Sequence, residues 1–287
     1  TAAEDQTLTA DASGAVRSSD TKMEFNARLD DLARVVPDLT GPVVIKGDMI
    51  QTPSATTGKL RVTAPEDSFA DLDASLSPDG AVDLTYEAGL GGIEKFVPQL
   101  VGVIRAEGRA TRLDDTWQVT SDVNGPSGSF AKLEGSMTPE GAIDGRYDAT
   151  LTQIERFVPQ LVGSIDAKGT AKRIDNAWEI ASDVNGPSGS FAKLSGTMTP
   201  EGAIDASYDA TFARIERFVP QLIGSVNAKG TASRIDEAWK VASDIKGPTG
   251  SVAQLSGSMT PDGTIDARYD ATLAKLERFV PELVGAL

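Results

Sequence analysis

The chain has 287 residues, of which 40% are hydrophobic and 24% are charged, so its composition is neither disordered nor membrane-spanning. It contains no Cys and no His, which excludes disulfides, thiolate or imidazole metal sites, and catalysis by a Cys nucleophile or a Ser-His-Asp triad. The net charge of −15 argues against a nucleic-acid-binding protein, because such proteins need a basic surface to neutralise phosphates.

A repeat of 61 residues runs through the sequence. The string Ile-Glu-Arg-Phe-Val-Pro-Gln-Leu at 154–161 recurs unchanged at 215–222, and it recurs with substitutions at three other places. Residues 154–214 and 215–275 share 43 identities over 61 positions without a gap. Because no distinct capping repeat is visible at the C-terminus, we expect the central part of a longer repetitive protein. The segments are a partial divergent repeat (1–31), a divergent repeat (32–92), three repeats (93–153, 154–214 and 215–275) and the start of a truncated repeat (276–287).

Four segments of each repeat alternate apolar and polar residues with a period of two. In the repeat 154–214 these segments begin near Ile165, Trp178, Ala192 and Ile204. Such alternation is typical of strands with one buried face. The short connections Asn-Gly-Pro-Ser-Gly and Pro-Glu-Gly supply turn residues and favour antiparallel hairpins. The sequence therefore predicts an all-β fold with about four antiparallel strands per repeat.

The segment around the repeated proline interrupts this alternation. Ile215, Phe218, Val219 and Leu222 are spaced as one face of a helix. Pro220 limits this helix to at most two turns, because proline cannot donate the next hydrogen bond. We expect a short helical turn whose apolar side packs on the sheet.

The repeats can be arranged in two ways that differ in pitch. Coils of a β-solenoid would advance about 4.8 Å per repeat, whereas four strands added side by side would advance about 19 Å. Solenoid coils are generally much shorter than this repeat, and hairpin turns do not suit them. We therefore predict an elongated, twisted, curled antiparallel sheet that forms a groove.

One face of the predicted sheet is apolar but rich in small residues, such as Ala167, Gly169 and Ala171. Small residues would leave room for an acyl chain, or they would let a helix or an opposing part of the sheet come close. Both explanations stay open. We predict that the following residues line a lipid groove: Ile104, Ala106, Trp117, Val119, Leu133, Met137, Ile143, Tyr147, Ile165, Ala167, Trp178, Ile180, Leu194, Met198, Ile204, Tyr208, Trp239, Val241, Leu255, Met259, Ile265 and Tyr269.

These features resemble the TamB family, the inner-membrane-anchored subunits of the translocation and assembly module of Gram-negative bacteria. The similarity is to alphaproteobacterial members and to the wider AsmA-like group of repeating-β-groove lipid transporters. The string at 154–161 and 215–222 carries it, together with Gly-Ser-x-x-Ala-Lys-Gly-Thr-Ala at 163–171 and 224–232 and the single Trp of each repeat. The resemblance covers nearly the whole chain, most clearly residues 93–287.

The resemblance implies a periplasmic β-groove that carries phospholipid between the inner and outer membranes and supports outer-membrane biogenesis. It also implies an inner-membrane anchor and an outer-membrane barrel partner of the TamA type, both engaged by parts of the parent protein outside this chain. We expect no enzymatic activity, no cofactor, no metal and no nucleic acid.

Other functions fit the same repeats. A stalk, as in an adhesin, would have a filled interior and no lipid, and a scaffold for outer-membrane polypeptides would capture them by strand addition. A calcium-binding array is disfavoured, because the loop at 122–128 lacks EF-hand spacing and its copy at 244–250 has Lys246 in place of Asn. Catalysis is disfavoured because the polar groups recur in several repeats, whereas an active site needs a unique arrangement.

Overall fold

A computed structural model describes residues 9–17, 20–31 and 40–274. In this part of the chain the structure is all-β, with 18 antiparallel strands and several 3-10 helices of three residues. The chain consists of two compact units, residues 1–139 (unit 1) and residues 140–287 (unit 2). The predicted all-β class and antiparallel strand pairing are confirmed.

The described residues of unit 1 form nine strands. Each strand is hydrogen-bonded antiparallel to the next one along the chain, so the unit is a meander. The strands are β1 (Thr9–Arg17), β2 (Asp20–Leu29), β3 (Val43–Gln51), β4 (Thr56–Thr63), β5 (Phe69–Leu76), β6 (Val82–Leu90), β7 (Ile104–Leu113), β8 (Thr116–Asn124) and β9 (Phe130–Met137).

The described residues of unit 2 form nine further strands with the same pairing. The strands are β10 (Ile143–Leu151), β11 (Ile165–Ile174), β12 (Ala177–Asn185), β13 (Phe191–Met198), β14 (Ile204–Phe212), β15 (Val226–Ile235), β16 (Ala238–Lys246), β17 (Val252–Met259) and β18 (Ile265–Thr272). The prediction of four strands per repeat is confirmed: β11 to β14 fall in one repeat and β15 to β18 in the next. The predicted copies of the proline string at 32–39 and 276–283 lie outside the described residues.

Tight turns connect the strands, and they contain residues in the left-handed backbone conformation. Asp175 and Asn176 join β11 to β12 with φ values of 51° and 64°. Two successive positive φ values match the right-handed twist of the flanking strands, which is why such turns close two-residue hairpins. Gly189 and Gly202, in the turns predicted from sequence, have φ values of 85° and 84°.

Tyrosine rings explain the glycines at the centres of three strands. Tyr208 on β14 is the cross-strand partner of Gly230 on β15. An ideal Cβ on Gly230 would lie 2.6 Å from the Tyr208 ring and 2.3 Å from the carbonyl oxygen of Ala242. The same pairing recurs between β10 and β11 and between β6 and β7. These glycines therefore make room for a ring of the neighbouring strand, a reason that was not predicted from sequence.

The proline segment (residues 93–102, 154–163 and 215–224) is less helical than its spacing allowed. It forms a single 3-10 helix of three residues, such as Ile154–Arg156, followed by a turn. The Ile154 N–H donates to the Gly163 carbonyl oxygen at 3.0 Å, and the Gly163 N–H donates to Glu155 Oε2 at 3.2 Å. These contacts close the segment into a compact loop.

The proline segment is only partly packed against the strands, because Val162 and Ile223 are each 62% exposed. Ile154 is buried, with 5% of its surface exposed. In the following repeat the ring of Phe218 meets that of Phe212, the last residue of β14, edge to face with centroids 6.3 Å apart. Edge-to-face pairs at this distance are favourable aromatic contacts.

One face of each sheet carries charged side chains. In unit 2, Lys168 Nζ lies 2.8 Å from Asp148 Oδ2, and Lys229 Nζ lies 2.7 Å from Asp209 Oδ2, both across neighbouring strands. These side chains are largely exposed, so each pair adds little stability. Their main effect is to keep this face hydrated.

Gly108→Ala should destabilise the protein by about 1–3 kcal/mol. The added methyl would lie 2.3 Å from the Thr120 carbonyl oxygen and 2.7 Å from the Tyr86 hydroxyl. Gly58→Ala is the matched control, because its methyl would meet only the Asp48 carbonyl oxygen at 3.5 Å, and it should be neutral or slightly stabilising. Urea unfolding measures both changes, and equal losses of stability would contradict this explanation of Gly108.

Acid should weaken two ion pairs of unit 1. A hydrogen bond from Arg61 lowers the pKa of Asp71 below its ordinary value, and one from Arg109 does the same for the pKa of Asp83. Since each folded pKa lies below the unfolded value, the small contribution of these exposed pairs is complete above about pH 4 and is lost as the pH falls through the folded pKa. Asp71→Asn with Asp83→Asn should therefore make the acid loss of stability shallower. Denaturant titrations of the wild type and of the double variant across this pH range measure the free energy of unfolding. An equal change of that free energy with pH in the two proteins would contradict a role of these ion pairs in acid stability.

Candidate functional site

The predicted groove residues lie on one face of the sheet within each unit. In unit 2 the successive cross-strand partners of Tyr208 are Gly230, Ser243, Leu255 and Tyr269. Partners opposite each other point to the same face, as do residues two apart along a strand. By this register every predicted position from Ile104 to Tyr269 lies on the same side of its unit. We call this side the apolar face.

The apolar face is uncovered in the described part of each unit. Contacts between elements are mainly those between neighbouring strands, so each unit is one sheet thick. Leu194 and Met198 are 44% and 40% exposed, and all the other predicted positions are half-buried or exposed as well. Extended apolar surfaces of this kind mark interaction sites.

The two margins of the apolar face differ in chemistry. At one margin Arg173 is the cross-strand partner of Trp178, and Arg234 is the partner of Trp239. Each guanidinium carbon lies 6.0 Å from the centroid of its Trp ring. We call this row, with Arg112 and Trp117 in unit 1, the arginine margin. At the opposite margin of unit 2, Phe212 at the end of β14 meets Phe218 of the proline segment.

The arginines were missed when the site was predicted from sequence. Ile165, Ala167, Gly169 and Ala171 were assigned to the apolar side, and Arg173 continues that series at the next two-residue step. The alternation of sides along the strand was therefore sufficient to place Arg173 on the apolar side. Its charge obscured this position, because a charged residue is normally assigned to the hydrated face.

Two depressions among the described residues open on the charged face. One of about 1160 Å³ in unit 1 is lined by Lys59, Arg61 and Asp73, among others. One of about 610 Å³ in unit 2 is lined by Lys168 and Asp183. Both are wide open to solvent and rich in charge, so neither suits an acyl chain. The apolar site is therefore the open apolar face itself.

The described residues contain no group of three or more His, Cys, Asp or Glu side chains placed to hold a metal ion. None of the helices in the same residues is long and apolar enough to cross a membrane. Comparison of the chain with protein-family models, with curated proteins and with solved structures gives no match. The resemblance noted in the sequence therefore stays a prediction.

Leu194→Arg should leave the free energy of unfolding within about 0.5 kcal/mol of the wild type, because this side chain is 44% exposed and no second layer lies over it in the described residues. Ile154→Arg is the contrasting control and should cost about 3 kcal/mol or more, because it places an unpaired charge at a buried position. Chemical denaturation compares the two variants. A large loss of stability in Leu194→Arg would show that the apolar face is covered.

Proposed function

We propose that the apolar face carries the acyl chains of phospholipids. The chain would be a segment of a periplasmic bridge along which lipid moves between the inner and outer membranes in support of outer-membrane biogenesis. The observation that carries this proposal is the uncovered apolar face, which recurs with the repeat. Its opposite, charged face would remain in water.

The binding energy that the apolar face offers an acyl chain would suit a lipid that moves along it. Each methylene removed from water contributes about 0.8 kcal/mol, so an acyl chain would be held by many small increments. Within unit 2, Leu194 and Leu255 occupy equivalent positions and are 44% and 41% exposed. Equivalent positions with equal exposure offer nearly equal binding energy, so a lipid needs no large barrier to pass from one repeat to the next.

The proposed partners follow from the resemblance in the sequence. Parts of the parent protein outside this chain would anchor it in the inner membrane and meet an outer-membrane barrel of the TamA type. The chain itself would contribute the lipid-carrying surface and no catalytic group. The repeated nature of its residues supports a uniform conduit rather than a single docking point.

A spacer and a polypeptide scaffold are the competing functions. A spacer predicts a filled interior, whereas the apolar face of the described residues is open, which favours the lipid carrier. A scaffold would use the sheet edge: β18 is exposed along its whole length, with Tyr269 83% exposed. Capture of a polypeptide by that edge would depend on backbone hydrogen bonds and not on the side chains of the apolar face.

The test is native mass spectrometry of the purified chain with identification of the lipids that it carries. Wild-type protein should hold phospholipid, and a triple variant with three charges on the apolar face should hold at least about tenfold less, because an acyl chain cannot cover an unpaired charge. The variant combines Leu194→Glu, Met198→Glu and Leu255→Glu, because an arginine beside Trp178 would itself attract a phosphate.

The matched control carries the same three charges one residue away, on the charged face. It should retain the lipid of the wild type. The control combines Ser195→Glu, Thr197→Glu and Ser256→Glu. Wild-type protein without lipid, or a folded triple variant with undiminished lipid, would overturn the proposed function and favour the spacer or the scaffold.

A further inference from the structure

The arginine margin places cations on an apolar surface at a regular interval. Arg173 on β11 and Arg234 on β15 occupy equivalent positions of successive repeats. Their strands are four apart in the meander of unit 2, which corresponds to about 19 Å at the usual strand spacing. The divergent repeat 32–92 has Gln51 at this position, so the cation belongs to the regular repeats.

The hydrogen-bonding capacity of Arg173 is only partly used. Its Nη2 donates to Asn176 Oδ1 at 2.6 Å, whereas its Nε is buried and has no hydrogen-bond partner among the described residues. A buried donor without a hydrogen-bond partner costs free energy of folding, and native structures rarely contain one. Because this Nε is shielded from solvent, a ligand with acceptor oxygens would bind at Nη1, which makes no hydrogen bond among the described residues.

The charge of these arginines is also uncompensated. Arg112 in unit 1 forms an ion pair with Asp115. The residue equivalent to Asp115 is the neutral Asn176 beside Arg173 and the acidic Glu237 beside Arg234, but in the described residues neither arginine has a carboxylate within 4.0 Å. The two guanidinium groups of unit 2 are therefore available to an anion.

The chemistry beside the arginines fits the boundary of a bound lipid. Trp178 and Trp239 lie beneath the guanidinium groups, and Trp is suited to a position with one side apolar and the other wet. Guanidinium forms parallel hydrogen bonds to two oxygens of a phosphate. Along β15 the face stays free of charge from Ala232 to Val226, and Val226 lies about 26 Å from Arg234 at the usual rise per residue.

We propose that Arg173 and Arg234 each bind the phosphate of a phospholipid headgroup whose acyl chains lie across the apolar face towards the proline segments. This inference rests on the proposed function, because it needs acyl chains on that face. It adds an orientation, with headgroups at the arginine margin, and it adds one headgroup site in each of the repeats 154–214 and 215–275. The ligand class is therefore a lipid with a phosphate, in preference to a neutral diacylglycerol.

The experiment compares two lipids with the same acyl chains, dioleoylphosphatidylglycerol and dioleoylglycerol, presented in detergent to the whole chain and counted by native mass spectrometry. Wild-type protein should prefer the phospholipid by about tenfold, the effect of a charge-assisted hydrogen bond. Arg173→Gln with Arg234→Gln should remove the preference and keep diacylglycerol binding, which also shows that the variant is folded. Arg173→Lys with Arg234→Lys should retain part of it.

The matched control is Lys172→Gln with Lys229→Gln, which removes two positive charges from the charged face and should bind both lipids as the wild type does. Glycerol 3-phosphate, which has the phosphate without acyl chains, should bind more weakly than the phospholipid by at least about a hundredfold, since it buries no methylenes. Equal binding of glycerol 3-phosphate would show a site for free phosphate and overturn the inference.

The remaining outcomes separate the two proposals. Wild-type protein that binds neither lipid would overturn the proposed function and the inference with it. Wild-type protein that binds both lipids equally, or a double Gln variant that keeps the preference, would overturn the inference alone. In that case acyl chains would still bind, but the headgroup would stay in water away from Arg173 and Arg234.

Discussion

Backbone hydrogen bonding between neighbouring strands is the interaction on which the rest of this structure depends. Each unit is one sheet thick in its described residues, so no second layer buries the apolar side chains. Buried apolar residues are few and lie at particular points, such as Ile93 and Ile154 in the proline segments. The strand ladder and the cross-strand side-chain pairs must therefore supply the cohesion that a packed core supplies elsewhere.

This mode of folding leaves the apolar face free for function. In a two-layer domain the same side chains would be buried in the core between the layers. Here the stability that does come from side chains is local to adjacent strands, as where the Tyr208 ring lies over Gly230. A surface stabilised in this way can stay apolar, open and repetitive at once, which are the properties a passive lipid path requires.

The surface is asymmetric, because the two faces of the sheet differ in charge and the two margins of the apolar face differ in chemistry. Ion pairs such as Lys168–Asp148 are weak individually, but they define which face stays in water. The arginine margin breaks the symmetry within the apolar face of unit 2, because its cations stand at the opposite end of the strands from the contact between Phe212 and Phe218. A bound amphiphile would therefore be oriented by the face and not merely adsorbed on it.

The sequence by itself determined the strands, their turns and the face on which each side chain lies. These are local properties: alternation fixes direction within a strand, and Gly202 fixes a turn by its positive φ. Only the tertiary structure decided that nothing described covers the apolar face, that tyrosine rings occupy the space above the central glycines, and that Arg173 Nε lacks a partner. Those features depend on which residues meet across strands, and that register is set by pairing between segments rather than by the pattern within one.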